Sequence, residues 1–405
     1  MKKQSNTPHL RFQNYEDEWY VEKLKNIFGT IRNAFVGTAT PYYVENGNFY
    51  LESNNVKNGK INYNSQIFIN DEFYEKQRDK WLKTNDIVMV QSGHVGHTAV
   101  IPEELNNTAA HALIVFTDYK KEVNPYFLNY QFQSNSKMKA LDLISTGNTI
   151  KHILASEMKN FKMDFPTSEE QSAIGSLFRS LDDLLASYKE NLANYQSLKA
   201  TMLFKMFPKA GQTVPEIRLD GFEGEWEKDT FEPYLTESRI SGDTGLTAKK
   251  ITVKLWGRGV IEKEEKYAGS SNTQYFIRKA GQFIYSKLDF QNQAFGIIPN
   301  ELDGYQSTLD LPTFDIQNID PKFLLEYVMR REFYEYQGLI ANGSRKAKRI
   351  HPEDFLVMPV RIPSLEEQQA IGSYFSNIDN FINSYQEKFS QLETLKKKLL
   401  QDMFI

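Results

Sequence analysis

Residues 166–207, PTSEEQSAIGSLFRSLDDLLASYKENLANYQSLKATMLFKMF, are written into this chain twice. Residues 363–404 read PSLEEQQAIGSYFSNIDNFINSYQEKFSQLETLKKKLLQDMF, and the two align without a gap with 18 of 42 positions identical. A match of that length at one offset is an internal duplication. Each copy reads as a single long helix. A proline marks the entry, and Thr167 with Glu170, like Ser364 with Glu367, has the spacing of a capping box. Apolar residues then recur every three or four positions: Ile174, Phe178, Leu181, Leu185, Tyr188, Leu192, Tyr195, Leu198, Met202 and Met206, repeated as Ile371, Phe375, Ile378, Ile382, Tyr385, Phe389, Leu392, Leu395, Leu399 and Met403. That spacing makes one apolar stripe per helix, close to a heptad seam. A helix of about 38 residues is about 57 Å long. It cannot bury such a stripe alone, so the two stripes are expected to pack on each other.

The duplication reaches beyond the helices. PHLRFQNYEDEW (residues 8–19) matches PEIRLDGFEGEW (215–226), sharing Arg11 with Arg218 and Trp19 with Trp226. AVIPEEL (99–105) matches GIIPNEL (296–302), NPYFLNY (124–130) matches DPKFLLE (320–326), and STGNT (145–149) matches ANGSR (341–345), in the same order. Between these anchors the halves diverge, residues 23–84 sharing little with 229–279. A fixed frame carrying two different inserts is expected when each insert reads a different target. The fold class is α+β: mixed domains at 1–165 and 209–362 alternate with long helices at 166–208 and 363–405. NDIVMVQSG (85–93) and GQFIYSK (281–287) read as strands running into polar loops, and ALIVF (112–116) and TFDI (313–316) as further strands. Helices are expected at 71–82, 125–141 and 321–339, and PKAGQTVP (208–215) reads as a linker.

Composition narrows the function. The 405 residues have a net charge of −4, so a nucleic-acid surface must be local rather than global. No cysteine is present, which excludes disulfides and thiolate chemistry and suits a reducing cytoplasm. No apolar run approaches a membrane span, and MKKQSNTPHLRF lacks the apolar core of a signal peptide. No phosphate-binding P-loop is found. Asn124-Pro125-Tyr126-Phe127 resembles an amino-methyltransferase loop but lacks its second proline, and a helix N-terminus explains it better. Glu264-Glu265-Lys266 offers half a nuclease motif without an upstream aspartate, and His94 with His97 is an incomplete metal set. Neither catalysis nor a bound cofactor or metal is expected in this chain.

The informative clusters are polar and basic loops at matched places. In the first half they supply Gln91, Ser92, His94 and His97 after one strand, and Thr146, Asn148, Thr149 and Lys151. In the second half they supply Lys254 and Arg258, then Lys287, Gln291 and Asn292 after the corresponding strand, and Ser344, Arg345, Lys346, Lys348 and Arg349. Such groups suit phosphate contacts and base-edge hydrogen bonds, and they are the candidate DNA-binding residues.

With its two variable domains, its two helices opened by P-x-x-E-E-Q-x-A-I-G (166–175 and 363–372) and its repeated P-x-x-R-x-x-x-[FY]-E-x-E-W, the chain resembles the specificity subunits of type I restriction–modification enzymes. The resemblance implies two target recognition domains, each reading half of a bipartite, asymmetric double-stranded DNA target. It implies that the helices pair as an antiparallel coiled coil in a pseudo-two-fold repeat, set the gap between half-sites and dock two methyltransferase subunits. Those subunits would carry S-adenosylmethionine and methylate adenine N6, and restriction subunits would use ATP and magnesium. The alternatives are a coiled-coil scaffold for protein partners, and an enzyme in its own right.

Overall fold

The structure, a computed structural model, describes residues 6–147, 150–264, 269–340 and 349–405. The chain forms two compact units: Met1–Lys189 with Glu387–Ile405, and Glu190–Gln386. Both duplicated stretches form one long helix each, Ser168–Lys205 and Leu365–Asp402, 38 residues each. Among the described residues no helix is long and apolar enough to cross a membrane.

The first unit is built on an antiparallel sheet ordered Phe28–Asn33, Leu113–Tyr119, Ile87–Val90, Thr98–Val100. Its central strands are apolar at successive positions because both faces are covered. Ile114, Phe116, Ile87 and Met89 face a core shared with Phe127 and Phe132 of the helix Pro125–Phe132. Leu113, Val115, Val88 and Val90 face a second core that reaches Leu51, Val56 and Leu82. In the second unit the sheet is ordered Leu235–Glu237, Thr313–Ile316, Phe283–Tyr285, Phe295–Ile297, the same positions in the same sequence of pairings. There Phe283, Tyr285 and Phe314 face an aromatic core while Ile284 faces a smaller one. The divergent inserts fold as separate sheets, four-stranded in the first unit (Ala109–Ala110, Asn48–Leu51, Ile67–Ile69, Tyr43–Val44) and three-stranded in the second (Ser241–Thr244, Gln274–Ile277, Gln306–Ser307).

Three expected helices are shorter than their apolar spacing suggests. The run at 125–141 breaks into Pro125–Phe132 and Asn135–Ile144, because Ser134 turns extended and its hydroxyl caps the second helix at the Lys137 amide. The run at 321–339 breaks at Arg330, whose extended backbone separates Pro321–Met329 from Arg331–Gln337. The run at 71–82 stops at Glu75 and ends in a 3-10 turn, Arg78–Lys80. The indole N–H of Trp81 folds back onto the Tyr74 carbonyl (3.1 Å), which a continuing helix would need.

The opening motif of each long helix is a seat for the unit it begins in. Thr167 Oγ1 accepts from the Glu170 amide at 3.4 Å and Ser364 Oγ from Glu367 at 3.3 Å, so half of each expected capping box forms. The other half does not. The buried Glu170 carboxylate takes a forked pair of hydrogen bonds from Arg11 (2.7 and 2.7 Å), and Glu367 takes the same from Arg218 (2.8 and 2.7 Å). A buried carboxylate gains more from a bidentate guanidinium than from one backbone amide. Next, Gln171 Oε1 accepts from the Asn124 amide while its Nε2 donates to Pro166, and Gln368 does the same between Asp320 and Pro363. Asn124 and Asp320 cap the helices Pro125–Phe132 and Pro321–Met329, so the Asn-Pro-Tyr-Phe stretch is a helix start. Gly175 and Gly372 let these caps approach: a Cβ would lie 2.8 Å from Asn124 Oδ1 and 2.5 Å from Asp320 Oδ1.

The apolar stripes are therefore used in two ways. Ile174, Phe178 and Leu181 are buried in the first unit's core, and Ile371, Phe375 and Ile378 in the second's. There they meet both the domain helix and the end of the other long helix: Phe178 packs on Tyr130 and Phe404, and Phe375 on Phe207. Beyond these turns the helices touch: Tyr195 stacks on Phe381 (5.2 Å) and Tyr385 (5.5 Å). Two ion pairs repeat at matched positions. In the first unit Lys396 Nζ meets Asp182 Oδ1 at 2.6 Å, and in the second Lys199 Nζ meets Asp379 at 2.8 Å. Each helix ends in a Met-Phe plug: Phe404 packs on Trp19, Phe127 and Phe178, and Phe207 on Trp226, Phe323 and Phe375.

Arg11→Ala strands a buried carboxylate and is expected to destabilise the first unit by about 3–5 kcal/mol in denaturant titrations. The double change Arg11→Met with Glu170→Leu should recover most of that loss. Gly175→Ala should cost more than the roughly 1 kcal/mol of a missing cap, against the small gain alanine usually brings inside a helix.

Candidate nucleic-acid interface

In the first unit the strand Ile87–Val90 runs out into residues 91–97 and returns as Thr98–Val100. Gly93 and Gly96 turn this loop with φ of 80° and 86°, values that side-chain-bearing residues rarely adopt. A second loop closes on itself where Thr146 and His152 exchange backbone hydrogen bonds (2.9 and 2.8 Å). The two are laced together. The Gly93 amide donates to the Lys151 carbonyl at 3.1 Å, the Ile153 amide to Gln91 at 2.9 Å, and Ser92 Oγ lies 2.8 Å from His152 Nδ1. His94, His97 and Lys151 line a cleft of about 210 Å³ with Met138, Leu141 and Asp142, and the hydrogen bonds above place Gln91, Ser92 and Thr146 next to it. Asn148 and Thr149 lie outside the described residues.

Electrostatics differ within the cluster. Lys151 pairs with Asp142, an exposed pair that water screens, so the cation stays available to an incoming anion. His97 is half-buried. Burial, with the nearby His94 and Lys57, lowers its pKa below the usual histidine value. Neutral, its Nδ1 accepts a hydrogen bond from the Asn58 amide (3.3 Å).

The second unit assembles its surface from different pieces. The strand Phe283–Tyr285 leads into residues 286–293, where Ser286 Oγ and the Asp289 carboxylate hold the turn and Asn292 Nδ2 donates to Asp289 (3.2 Å). Residues 254–259 form a closed loop, with the Lys254 amide donating to Gly259 (2.9 Å). The amides of Trp256 and Gly257 donate to Asn292 and Gln293 at 2.8 and 3.0 Å, which joins the two loops. Trp256 is exposed, and Lys254 and Arg258 beside it have no carboxylate partner among the described residues. Backbone hydrogen bonds link Lys287 to Asp310 and to Ile350, and the Asp310 carboxylate lies 3.6 Å from Arg349 Nε. Gln291 lines an open cleft of about 810 Å³ with Arg331, Tyr336 and Leu339. Lys254, Arg258, Lys287, Gln291, Asn292 and Arg349 therefore share one region, while Ser344, Arg345, Lys346 and Lys348 lie outside the described residues, as do Glu265 and Lys266. Asp142, Asp310, Arg331 and Tyr336 are members that sequence reasoning missed. The acidic pair carries no motif, and the other two sit on a helix whose exposed face only the fold defines.

Known proteins resemble this chain in sequence and in fold. The family described as type I restriction modification DNA specificity domain matches residues 16–194. The putative type I restriction enzyme MjaX specificity subunit of Methanocaldococcus jannaschii is 21% identical over 429 residues, spanning 98% of this chain and 95% of that protein. Over nearly its whole length the chain is thus similar to type I restriction–modification specificity subunits. The MjaVIII specificity subunit of the same organism is 22% identical over 98% of this chain and 95% of its own length. The EcoBI specificity subunit of Escherichia coli is 23% identical over 50% of this chain and 44% of its own length. The fold matches the crystal structure of a type I restriction–modification S subunit from M. genitalium with a TM-score of 0.63, at 14% identity and covering 98% of this chain and 99% of that one. The two loop clusters each follow the corresponding strand of their unit's sheet, while their residues differ.

His97 gives a pH signature. Its folded pKa is lowered, so the unfolded chain binds the proton more readily. Its contribution to stability is full above the ordinary histidine pKa and is lost as pH falls toward the folded value. Denaturation midpoints of the intact chain should decline below about pH 6.5, and His97→Gln should flatten that slope.

Proposed function

We propose that each unit reads one half of a bipartite, asymmetric double-stranded DNA target for a type I restriction–modification complex. The observation that carries this reading is the matched pair of exposed polar loop clusters, set on the same strands of a repeated frame whose inserts otherwise diverge. In the first unit base-edge contacts would come from Gln91, Ser92, His94, His97, Thr146, Asn148 and Thr149, with Lys151 on phosphate. In the second they would come from Gln291, Asn292 and Ser344, with Lys254, Arg258, Lys287, Arg345, Lys346, Lys348 and Arg349 supplying charge. Residues 1–165 and 209–362 are the recognition domains, and 166–208 and 363–405 the spacers.

The spacers pair as an antiparallel coiled coil with pseudo-two-fold symmetry. Supporting this, the ion pair Asp182–Lys396 has its reciprocal in Asp379–Lys199, each residue replaced by its repeat mate. Reciprocity of that kind is what a two-fold relation demands. The coil sets the distance between half-sites and docks two methyltransferase subunits; exposed Leu184, Leu198, Phe381 and Leu395 offer it apolar surface. Chemistry belongs to the partners: S-adenosylmethionine and adenine N6 methylation in the methyltransferase subunits, ATP and magnesium in the restriction subunits. This chain is non-catalytic and works in the cytoplasm.

Mapping methylated adenines in a host expressing the complex tests the reading. An asymmetric bipartite motif should appear, and vanish when this chain is deleted; methylation that persists unchanged sinks the proposal. Replacing residues 20–160 with those of another specificity subunit should alter one half of the motif alone. Lys254→Ala with Arg258→Ala should weaken binding across sequences and lower the salt slope by about one for each phosphate left without its cation. A scaffold for protein partners would show no salt-dependent DNA binding in the complex.

A further inference from the structure

The three most exposed large apolar side chains among the described residues are Leu143 (86%), Tyr336 (70%) and Leu339 (68%). All three belong to the helical segments that border the loop clusters, Asn135–Ile144 in the first unit and Arg331–Gln337 with its 3-10 turn Gly338–Ile340 in the second. Single exposed leucines are ordinary. Here the position repeats: LISTG (143–147) aligns with LIANG (339–343), so Leu143 and Leu339 are repeat mates, each with a glycine four residues on. The inserts around them have diverged, yet both copies put an unpaired aliphatic side chain at the same rim. The neighbours of Leu143 on its helix, Leu141 and Asp142, line the cleft with His94 and Lys151. Leu339 itself lines the cleft with Gln291.

We propose that Leu143 and Leu339 are base readers, each seated against the 5-methyl group of a thymine in the major groove of the half-site its own unit recognises. The proposal rests on the DNA-reading function above and assigns it a chemistry that the polar loops cannot supply. A leucine has no donor or acceptor, so phosphates and amide-bearing base edges gain nothing from it. The thymine methyl is the one apolar group on the major-groove edges of the four bases. Covering it dehydrates two apolar surfaces at once.

The test uses the full chain in complex with the methyltransferase subunits of its own system, on duplexes carrying the mapped target. Each thymine is replaced in turn by deoxyuridine, which removes only the methyl group. For the unaltered complex, one position in each half-site should weaken binding roughly fourfold, the worth of one buried methyl group. Leu143→Ser should lose that sensitivity in the half-site read by the first unit and keep it in the other, and Leu339→Ser should show the reverse. Both side chains are exposed, so neither change threatens folding. The proposal is overturned if no deoxyuridine position matters, if the variants keep the parental profile, or if they weaken subunit assembly equally on all duplexes. Lys254→Ala with Arg258→Ala serves as the control. Weakened binding there with an unchanged profile in the leucine variants overturns the leucine role alone, whereas full binding in every variant overturns the DNA reading itself.

Discussion

A buried carboxylate on the first turn of each long helix organises the structure. Glu170 and Glu367 are almost wholly buried, and a charge in that setting is tolerated only when its lone pairs are taken up. Arg11 and Arg218 do so with forked hydrogen bonds, and those arginines come from the segment that precedes each domain's first strand. The hydrogen bond it donates to Glu170 raises the Arg11 pKa, so the guanidinium stays charged. One interaction thus ties the lead-in segment, the helix and, through Gln171 or Gln368, the capped domain helix to a single point. Such a pair adds modestly to net stability but specifies geometry strongly, since any other docking would leave a charge buried and unpaired.

Farther along the helices the two units answer one electrostatic problem differently. Asp182 pairs with Lys396 and accepts from the Tyr130 hydroxyl (2.7 Å), a neutral third partner. The repeat mate of Tyr130 is Glu326, so in the second unit Lys199 faces two carboxylates, Glu326 and Asp379. Burial opposes the Lys199 charge, but both acids outweigh it and its pKa is raised. Burial also raises the Glu326 pKa, and its Oε2 has no hydrogen-bond partner among the described residues. The frame tolerates this substitution because the Lys–Asp pair survives it.

The loops are anchored through the main chain. Thr146 with His152 and Lys254 with Gly259 are tied by backbone hydrogen bonds, contacts that do not depend on side-chain identity. Core positions beneath them, such as Met89 and Tyr285, are fully buried and constrained by their neighbours. Substitutions in these loops can therefore leave the sheet and the helix seat as they are.

The duplication, the two long helices and the strands at 87–90 and 283–285 were legible in the sequence, because apolar periodicity and repeated anchors encode local structure directly. The family resemblance rested on the same residues. Tertiary structure decided what periodicity cannot express. It broke the helices at Ser134 and Arg330, where a cap and an extended backbone outweighed apolar spacing. It turned Glu170 from its expected cap to Arg11, a partner 159 positions away, because a buried carboxylate seeks the strongest donor within reach. It divided each apolar stripe between a domain core and the neighbouring helix, and it joined the loop at 254–259 to that at 286–293. These are long-range choices, set by which surfaces meet, and a chain read in order cannot name the partners that folding will bring to each residue.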